Sequence, residues 1–465
     1  MTATAEKKTK ATRAGRLPSF LVLLVGAVFG GSMVFLTPPF NVPDEMGHWL
    51  RAYQCSQGAV YASRSGDVVG GELPESLRAI YVATADPALT DAEFHISTEK
   101  LRRGLAIPLD SPRRQFFAFT AMARYSPVPY LPAAAAVGMG RLAGLAPLEL
   151  FYLGRVGTLI GYLLLAAAAV WLMPVQKWTL ALLALMPMSI FLAASFSPDA
   201  LSIALSFLGI AMILRLALRP EKVGRGDLWW LGAVLLLVGL AKPAYVAFAL
   251  LVLQVPREKF SDPRQRWWIC ALLVGLPLAV SIAWALSLPG LSVPLLPRVN
   301  VKAQAWWMLE HPWLYTKMTM ERITERYLYS GAVATLGWGS IFLTARIYPM
   351  YWTALLATAV LDGNRGDVRL PAWTRAASVA VYFLVMVLIS TLTYLTWHGV
   401  GDKEIHGVQS RYLVPILPLL LLPLRSCGRW AGSRFSRLLV PATAVVAVMI
   451  GMGATWQRMI AYYWR

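Results

Sequence analysis

LPSFLVLLVGAVFGGSMVFL, residues 17–36, is twenty consecutive residues without a charged side chain. A hydrocarbon layer about 30 Å thick is crossed by about 20 helical residues, so this stretch reads as a membrane span. Lys7, Lys8, Lys10, Arg13 and Arg16 precede it. A secretory signal peptide would begin in the same way. The run is too long for a signal-peptide core, however, and Pro38-Pro39 follows it in place of a small-x-small cleavage site. It is expected to be retained as a first span with its N-terminus in the cytoplasm.

The rest of the chain has the same character. Of 465 residues, 57% are hydrophobic and 14% charged, against about 25% charged in ordinary soluble domains. This composition excludes a soluble globular protein, a disordered chain and a disulfide scaffold. Long apolar runs, in place of alternating ten-residue segments, exclude a β-barrel. The expected class is an all-α polytopic membrane protein forming one transmembrane domain, 1–465. The net charge of +19 comes from basic residues grouped between apolar runs. Cytoplasmic loops look like that, so no nucleic-acid partner is expected. Three cysteines, Cys55, Cys270 and Cys427, support neither a structural disulfide nor a thiolate zinc site.

Further apolar segments lie near 127–146, 150–173, 178–196, 199–218, 228–241, 244–256, 267–289, 347–361, 376–396, 411–424 and 438–457. Four basic loops fall among them, at Arg215/Arg219/Lys222/Arg225, Arg257/Lys259/Arg264/Arg266, Arg365/Arg369/Arg375 and Arg425/Arg429/Arg434/Arg437. All four become cytoplasmic only if one segment before position 200 fails to cross. The segment 127–146 carries Pro127, Pro129, Pro132, Gly138, Gly140 and Gly144, and is expected to be interfacial or re-entrant. About eleven spans remain, with the N-terminus inside and the C-terminus outside. The loop 37–125 is then extracytoplasmic, as are Asp199, Lys242, the 290–346 stretch and the 397–411 loop. Trp306, Trp307, Trp313, Tyr315, Tyr327 and Tyr329 make 290–346 read either as amphipathic helices at headgroup level or as a lid without chemistry.

Four places carry groups suited to chemistry. In Asn41-Val42-Pro43-Asp44-Glu45-Met46-Gly47-His48-Trp49-Leu50-Arg51, spacings of four and three put Asp44, His48 and Arg51 on one helical face. The same residues also suit a plain capped helix with an internal ion pair. Asp199, in Ser197-Pro198-Asp199, fits a helix N-cap or a site facing the same surface as Asp44. Lys242, in Lys242-Pro243-Ala244-Tyr245, interrupts an apolar run, which suggests function or a side chain reaching for the interface. Arg155 is expected to pair with a helix neighbour. Arg411 precedes Tyr412 at a membrane mouth; its planar fork suits phosphate, and an interfacial anchor is the other reading. Glu45-Met46-Gly47-His48 has the Glu-x-x-His spacing of paired di-iron sites, but no second copy exists. There is no P-loop, dinucleotide fingerprint or nucleophile elbow.

These motifs, in order, resemble a known family. Pro38 to Gln54, Ser195-Phe196-Ser197-Pro198-Asp199, Lys242-Pro243-Ala244-Tyr245 and Gly407-Val408-Gln409-Ser410-Arg411-Tyr412-Leu413-Val414-Pro415 are similar to the domain-of-unknown-function 2142 family of bacterial multispanning membrane proteins. Gly47 and Ser410 stand where that family often has alanine and glycine. The family looks like a branch of the GT-C superfamily of membrane glycosyltransferases. The resemblance implies a GT-C-like fold in the bacterial inner membrane. It also implies an extracytoplasmic site with an acidic pair, Asp44 and Glu45, and a second acid, Asp199.

On that resemblance, the expected activity moves a sugar from a polyprenyl-phosphate donor to a cell-envelope glycan or lipid acceptor, with inversion. Asp44 would be the catalytic base, with Glu45 second. Arg411 and Lys242 would hold the leaving phosphate. His48, Arg51, Asp199, Tyr245, Gln409 and Tyr412 would bind substrate, with a divalent metal as an open possibility. A flippase of lipid-linked glycans and a non-catalytic partner in envelope-glycan assembly are the alternatives.

Overall fold

The computed structural model describes residues 16–85, 96–288, 298–363, 370–425 and 432–464. Lys7, Lys8, Lys10, Arg13, His95, Arg365, Arg369, Cys427, Arg429 and the beginning of the 290–346 stretch lie outside the described residues. The chain is mostly helical. Helix α1, Leu17–Leu36, leads through a short loop into α2, Glu45–Ser56. A small mixed unit follows, built from β1 (Ser63–Ser65), β2 (Val68–Pro74), α3 (Ser76–Thr84), α4 (Thr98–Leu105) and β3 (Arg114–Ala118). The strands form one antiparallel sheet in the order β1-β2-β3. Gly66, at φ 58°, supplies the positive φ that a tight β1–β2 turn requires. This sheet, within the stretch expected to be a loop, departs from the all-α expectation for the chain. Its strands are short, and β1 is exposed along its whole length, so no run of alternating apolar residues announces it.

Trp49, Tyr53, Phe117, Phe119, Tyr130 and Phe151 form a separate apolar core that ties this unit to the helices. Helix α5, Leu131–Leu142, has 12 residues. That is about 18 Å, short of a full crossing. It lies antiparallel along the first half of α6, Pro147–Leu172: Pro132 touches Gly157 and Gly161, and Gly140 faces Leu150 and Leu153. A Cβ on Gly157 would come within 2.5 Å of the Pro132 carbonyl oxygen, so this approach requires glycine.

The segment expected at 178–196 is two helices, α7 (Lys177–Ala184) and α8 (Pro187–Ala193), broken before Pro187. Helices α9 (Pro198–Leu218) and α10 (Arg225–Ala241) come next, then a 3-10 segment, Pro243–Gln254. At about 2.0 Å per residue, that segment reaches further than an α-helix of the same length. Then come α11 (Gln265–Ser287), three short helices α12 (Val301–Glu310), α13 (Pro312–Thr324) and α14 (Arg326–Val333), and α15 (Ile347–Leu361). Helix α16 (Ala372–Trp397), a mixed helical segment Ser410–Leu424 and α17 (Arg434–Tyr463) complete the order. Six of these helices are long and apolar enough to cross a membrane: α1, α6, α9, α11, α16 and α17. Pro243–Gln254, Ile347–Leu361 and Ser410–Leu424 are shorter apolar helices.

At one end of the bundle, basic side chains finish helices. Lys259 Nζ donates to the carbonyls of Leu216 and Ala217 at the end of α9, at 3.1 and 2.9 Å. Arg375 donates to Pro423 O and Arg425 O. Cations satisfy terminal carbonyls and the negative end of the helix dipole together. The residues singled out for chemistry gather elsewhere, around the start of α9.

Candidate functional site

The site is anchored by Arg155. This side chain is fully buried and, contrary to expectation, does not pair with a helix neighbour. Its Nε donates to Glu45 Oε1 at 2.8 Å and its Nη2 to Glu45 Oε2 at 2.6 Å. It also donates to the carbonyls of Val34, Thr37 and Pro38. The first two of these are among the carbonyls left open where α1 ends. One guanidinium thus fixes the end of α1, the loop after it and the start of α2. The Phe196 amide approaches Glu45 Oε1 at 3.4 Å. Glu45 is therefore saturated and sealed, and does not share the position expected of an acidic pair. Burying two charges is costly, but removing one of them strands the other, at about 3–5 kcal/mol.

Asp44 is left in the opposite situation. It sits just before α2 in the left-handed region, at φ 62° and ψ 12°, and does not cap its own helix. For a residue other than glycine, that backbone conformation is strained, and the Arg155–Glu45 lock is adjacent to it. Among the described residues, its carboxylate makes no hydrogen bond or ion pair. Partial burial lifts its pKa above the ordinary aspartate value; Arg411 opposes that rise and Asp199 adds to it. The three charges thus lie within electrostatic reach of one another.

Asp199 lies at the start of α9. Ser197 caps this helix, its Oγ accepting from the Asp199 amide at 3.3 Å. The cap and the site are therefore different residues, and the buried Asp199 carboxylate is left to meet cations from other elements. Lys242 Nζ donates to Asp199 Oδ1 at 2.6 Å, and Arg411 Nε lies 2.8 Å from Oδ2. Lys242 reaches this point because Pro243 ends α10 and holds Lys242 extended, at φ −157° and ψ 101°. The ammonium also sits 3.7 Å from the Tyr412 ring centre, a cation–π contact. Tyr245 donates its hydroxyl to Tyr412 O at 3.0 Å, joining the Lys-Pro motif to the Arg-Tyr motif.

His48, one turn into α2, is buried, with Nδ1 2.7 Å from the Tyr130 hydroxyl. Burial lowers its pKa to about 3, against the opposing pull of Asp199, so it is a neutral imidazole. Tyr125 stacks edge-on against His48. Burial raises the pKa of both Tyr125 and Tyr130. These tyrosines were not anticipated; the signal available was a tyrosine at each end of the proline-rich Tyr125-Ser126-Pro127-Val128-Pro129-Tyr130.

Arg51 shares the face of His48, as its spacing predicts, but acts as a strut. Fully buried, it donates to Gln54 Oε1, Val60 O and Tyr125 O, fastening the Tyr125 loop to α2. Gln409 is exposed; its carbonyl accepts from the Tyr412 amide. Ser410 Oγ donates to Tyr327 O and fills the space over Gly331, where a Cβ would come within 2.3 Å.

Among the described residues, no three His, Cys, Asp or Glu side chains converge as a metal site. Glu45 and Asp199 are both already committed to cations, so the carboxylates do not form a ready ligand set for a divalent ion. What the site offers is a cationic pair sharing one carboxylate, beside a second, unengaged carboxylate. That combination suits an anion held next to a base.

The sequence profile of the domain-of-unknown-function 2142 family, described as predicted membrane proteins, matches residues 25–420. Comparison with curated proteins and with solved structures gave no match.

Proposed function

The chain belongs to this family of membrane proteins, and on that premise we propose that it is a GT-C-type glycosyltransferase using a polyprenyl-phosphate sugar. The observation that carries the reading is that Lys242 and Arg411 meet on Asp199, within electrostatic reach of Asp44. These residues come from separate motifs, yet they meet at one place.

In the proposed reaction, Lys242 and Arg411 bind the phosphate of the donor. Charge-assisted contacts of this kind stabilise the negative charge that grows on a departing phosphate. Asp199 holds both cations in position while the site is empty. The acceptor hydroxyl attacks the anomeric carbon from the face opposite the phosphate. The bond from that carbon to the phosphate oxygen breaks, and its electron pair leaves with the phosphate. The hydroxyl proton passes to Asp44, and the anomeric centre inverts. A raised pKa makes Asp44 a better proton acceptor than an ordinary surface aspartate. Neutral His48, braced by Tyr130, is a polar wall that positions sugar without adding charge. Glu45 has a structural role through Arg155 in this account.

In the bacterial inner membrane, eleven crossings with a cytoplasmic N-terminus would place this site and the 37–125 unit outside. Basic loops at the other end support that orientation through the positive-inside rule. Exposed Trp306 and Trp313, on α12 and α13, suit the outer headgroup layer. Single cysteines at Ser65 and Lys222, in a cysteine-free background, test the orientation. An impermeant thiol reagent added to intact cells should label the first and spare the second. The activity is tested by reconstituting purified protein with a polyprenyl-phosphate sugar and an envelope-glycan acceptor. Transfer with release of polyprenyl phosphate is expected; movement of intact donor across the bilayer without transfer would favour a flippase.

A further inference from the structure

A cleft of about 540 Å³ opens beside the loop after α16. Its walls include Arg298, Trp397, Asp402, Lys403, Glu404, His406 and Gly407. The volume falls within the range of small-molecule sites. None of these residues belongs to the cluster around Asp199.

The loop that forms the cleft is fastened from within. Buried His398 is the keystone: its Nδ1 lies 3.3 Å from Asp402 Oδ2, and its Nε2 accepts from the His406 amide at 3.2 Å. Asp402 Oδ2 also accepts from the Gly399 amide, and Asp402 O accepts from the Tyr394 hydroxyl. Gln304 of α12 accepts from the Gly401 amide at 3.0 Å. The backbone is thus held from three directions, while Lys403, Glu404 and His406 project outward and stay exposed. A preorganised loop presenting polar groups loses little entropy on binding.

The charge of the lining selects the ligand class. Two carboxylates, Asp402 and Glu404, are balanced by two bases, Arg298 and Lys403. A polyanion gains nothing there that it would not gain more strongly from Lys242 and Arg411. A neutral molecule with many hydroxyls can donate to the carboxylates and accept from the bases. Half-exposed Trp397 adds an apolar face for the C–H side of a sugar ring. Position supports the same class. Gly407 is four residues before Arg411, so the Cα atoms of the cleft edge and of Arg411 lie within about 14 Å of each other. A short oligosaccharide spans such a distance.

We propose that this cleft is a binding subsite for the neutral, hydroxyl-rich glycan that receives the sugar. The inference rests on the glycosyltransferase reading and assigns its acceptor to a distinct place and chemistry. It is tested on full-length protein in nanodiscs with four neutral linear trisaccharides, of glucose, mannose, galactose and rhamnose. Saturation-transfer NMR and calorimetry read binding, and inorganic pyrophosphate is the anionic comparison. At least one trisaccharide should bind. The triple variant Lys403→Gln, Glu404→Gln, His406→Gln should weaken that binding about tenfold or more, with melting temperature and pyrophosphate affinity unchanged. Absence of trisaccharide binding up to roughly 10 mM, or binding indifferent to the triple variant, overturns the proposal. Loss of pyrophosphate binding in the triple variant also overturns it, by making the cleft an anion site. Asp44→Asn separates the two ideas. Glycan binding with Asp44-independent transfer would sink the assigned base and keep the cleft. Asp44-dependent transfer without glycan binding would sink the cleft alone.

Discussion

Arg155 and Glu45 form a doubly hydrogen-bonded, fully buried ion pair across 110 residues of sequence, at 2.8 and 2.6 Å. The pair ties α6 to the turn that delivers Asp44. It also separates two adjacent acids into different roles, one locked and one open.

Removing either partner should damage the fold before it damages chemistry. Glu45→Gln leaves the Arg155 charge buried and unpaired, and should cost about 3–5 kcal/mol. Arg155→Met strands Glu45 and additionally releases the carbonyls of Val34, Thr37 and Pro38. The double variant Glu45→Gln, Arg155→Met should be more stable than the sum of the single losses predicts. Denaturation midpoints in one detergent measure all four corners of the cycle. Additive losses would show that the pair does not act as a unit.

How much of this was legible beforehand follows from the same pair. The motifs holding Asp44, Asp199, Lys242 and Arg411 stand out because a charge beside apolar sequence is costly and draws attention. Hydropathy placed nearly every apolar helix, and prolines with glycines marked 127–146 as unusual; the 12-residue α5 lies within that segment. Pairings were not legible. Helical spacing relates His48 to Arg51, but nothing local relates Glu45 to Arg155 or Tyr130 to His48, because those contacts exist only after the helices pack. The small sheet escaped for a different reason: three short strands, the first wholly exposed, leave no periodic apolar signal.

His48 gives the protein an acid sensitivity. In the folded protein, burial pushes its pKa down to about 3, below the ordinary histidine value of about 6.5. Between those values the unfolded chain binds a proton that the folded chain refuses. Stability contributed by neutral His48 is therefore present above about pH 6.5 and is lost as pH falls toward 3. Each unit of difference is worth about 1.4 kcal/mol. His48→Gln should flatten the decline in melting temperature between about pH 6 and 4. A wild-type and variant decline of equal steepness would mean that His48 charges without penalty.

Arg411→Ala tests the phosphate assignment. A charge-assisted, largely buried contact is worth about 1.5–3 kcal/mol, or roughly 10- to 150-fold in affinity. The apparent affinity for the polyprenyl-phosphate donor should fall by that factor, with the acceptor dependence little changed. A variant that keeps donor affinity but loses acceptor affinity would exchange the roles of the two sides. Because Asp199 would keep Lys242 as a partner, the fold should survive.

The central claim is that Asp44 takes the proton from the acceptor. The direct measurement is turnover of purified Asp44→Asn in nanodiscs, with melting temperature recorded on the same samples. Asparagine has similar size and tolerates the left-handed backbone that Asp44 adopts, so the fold should be retained. The account predicts a loss of about 10²–10⁴ in turnover, the usual contribution of a general base, at unchanged donor affinity. Near-normal turnover by a folded Asp44→Asn protein would contradict it.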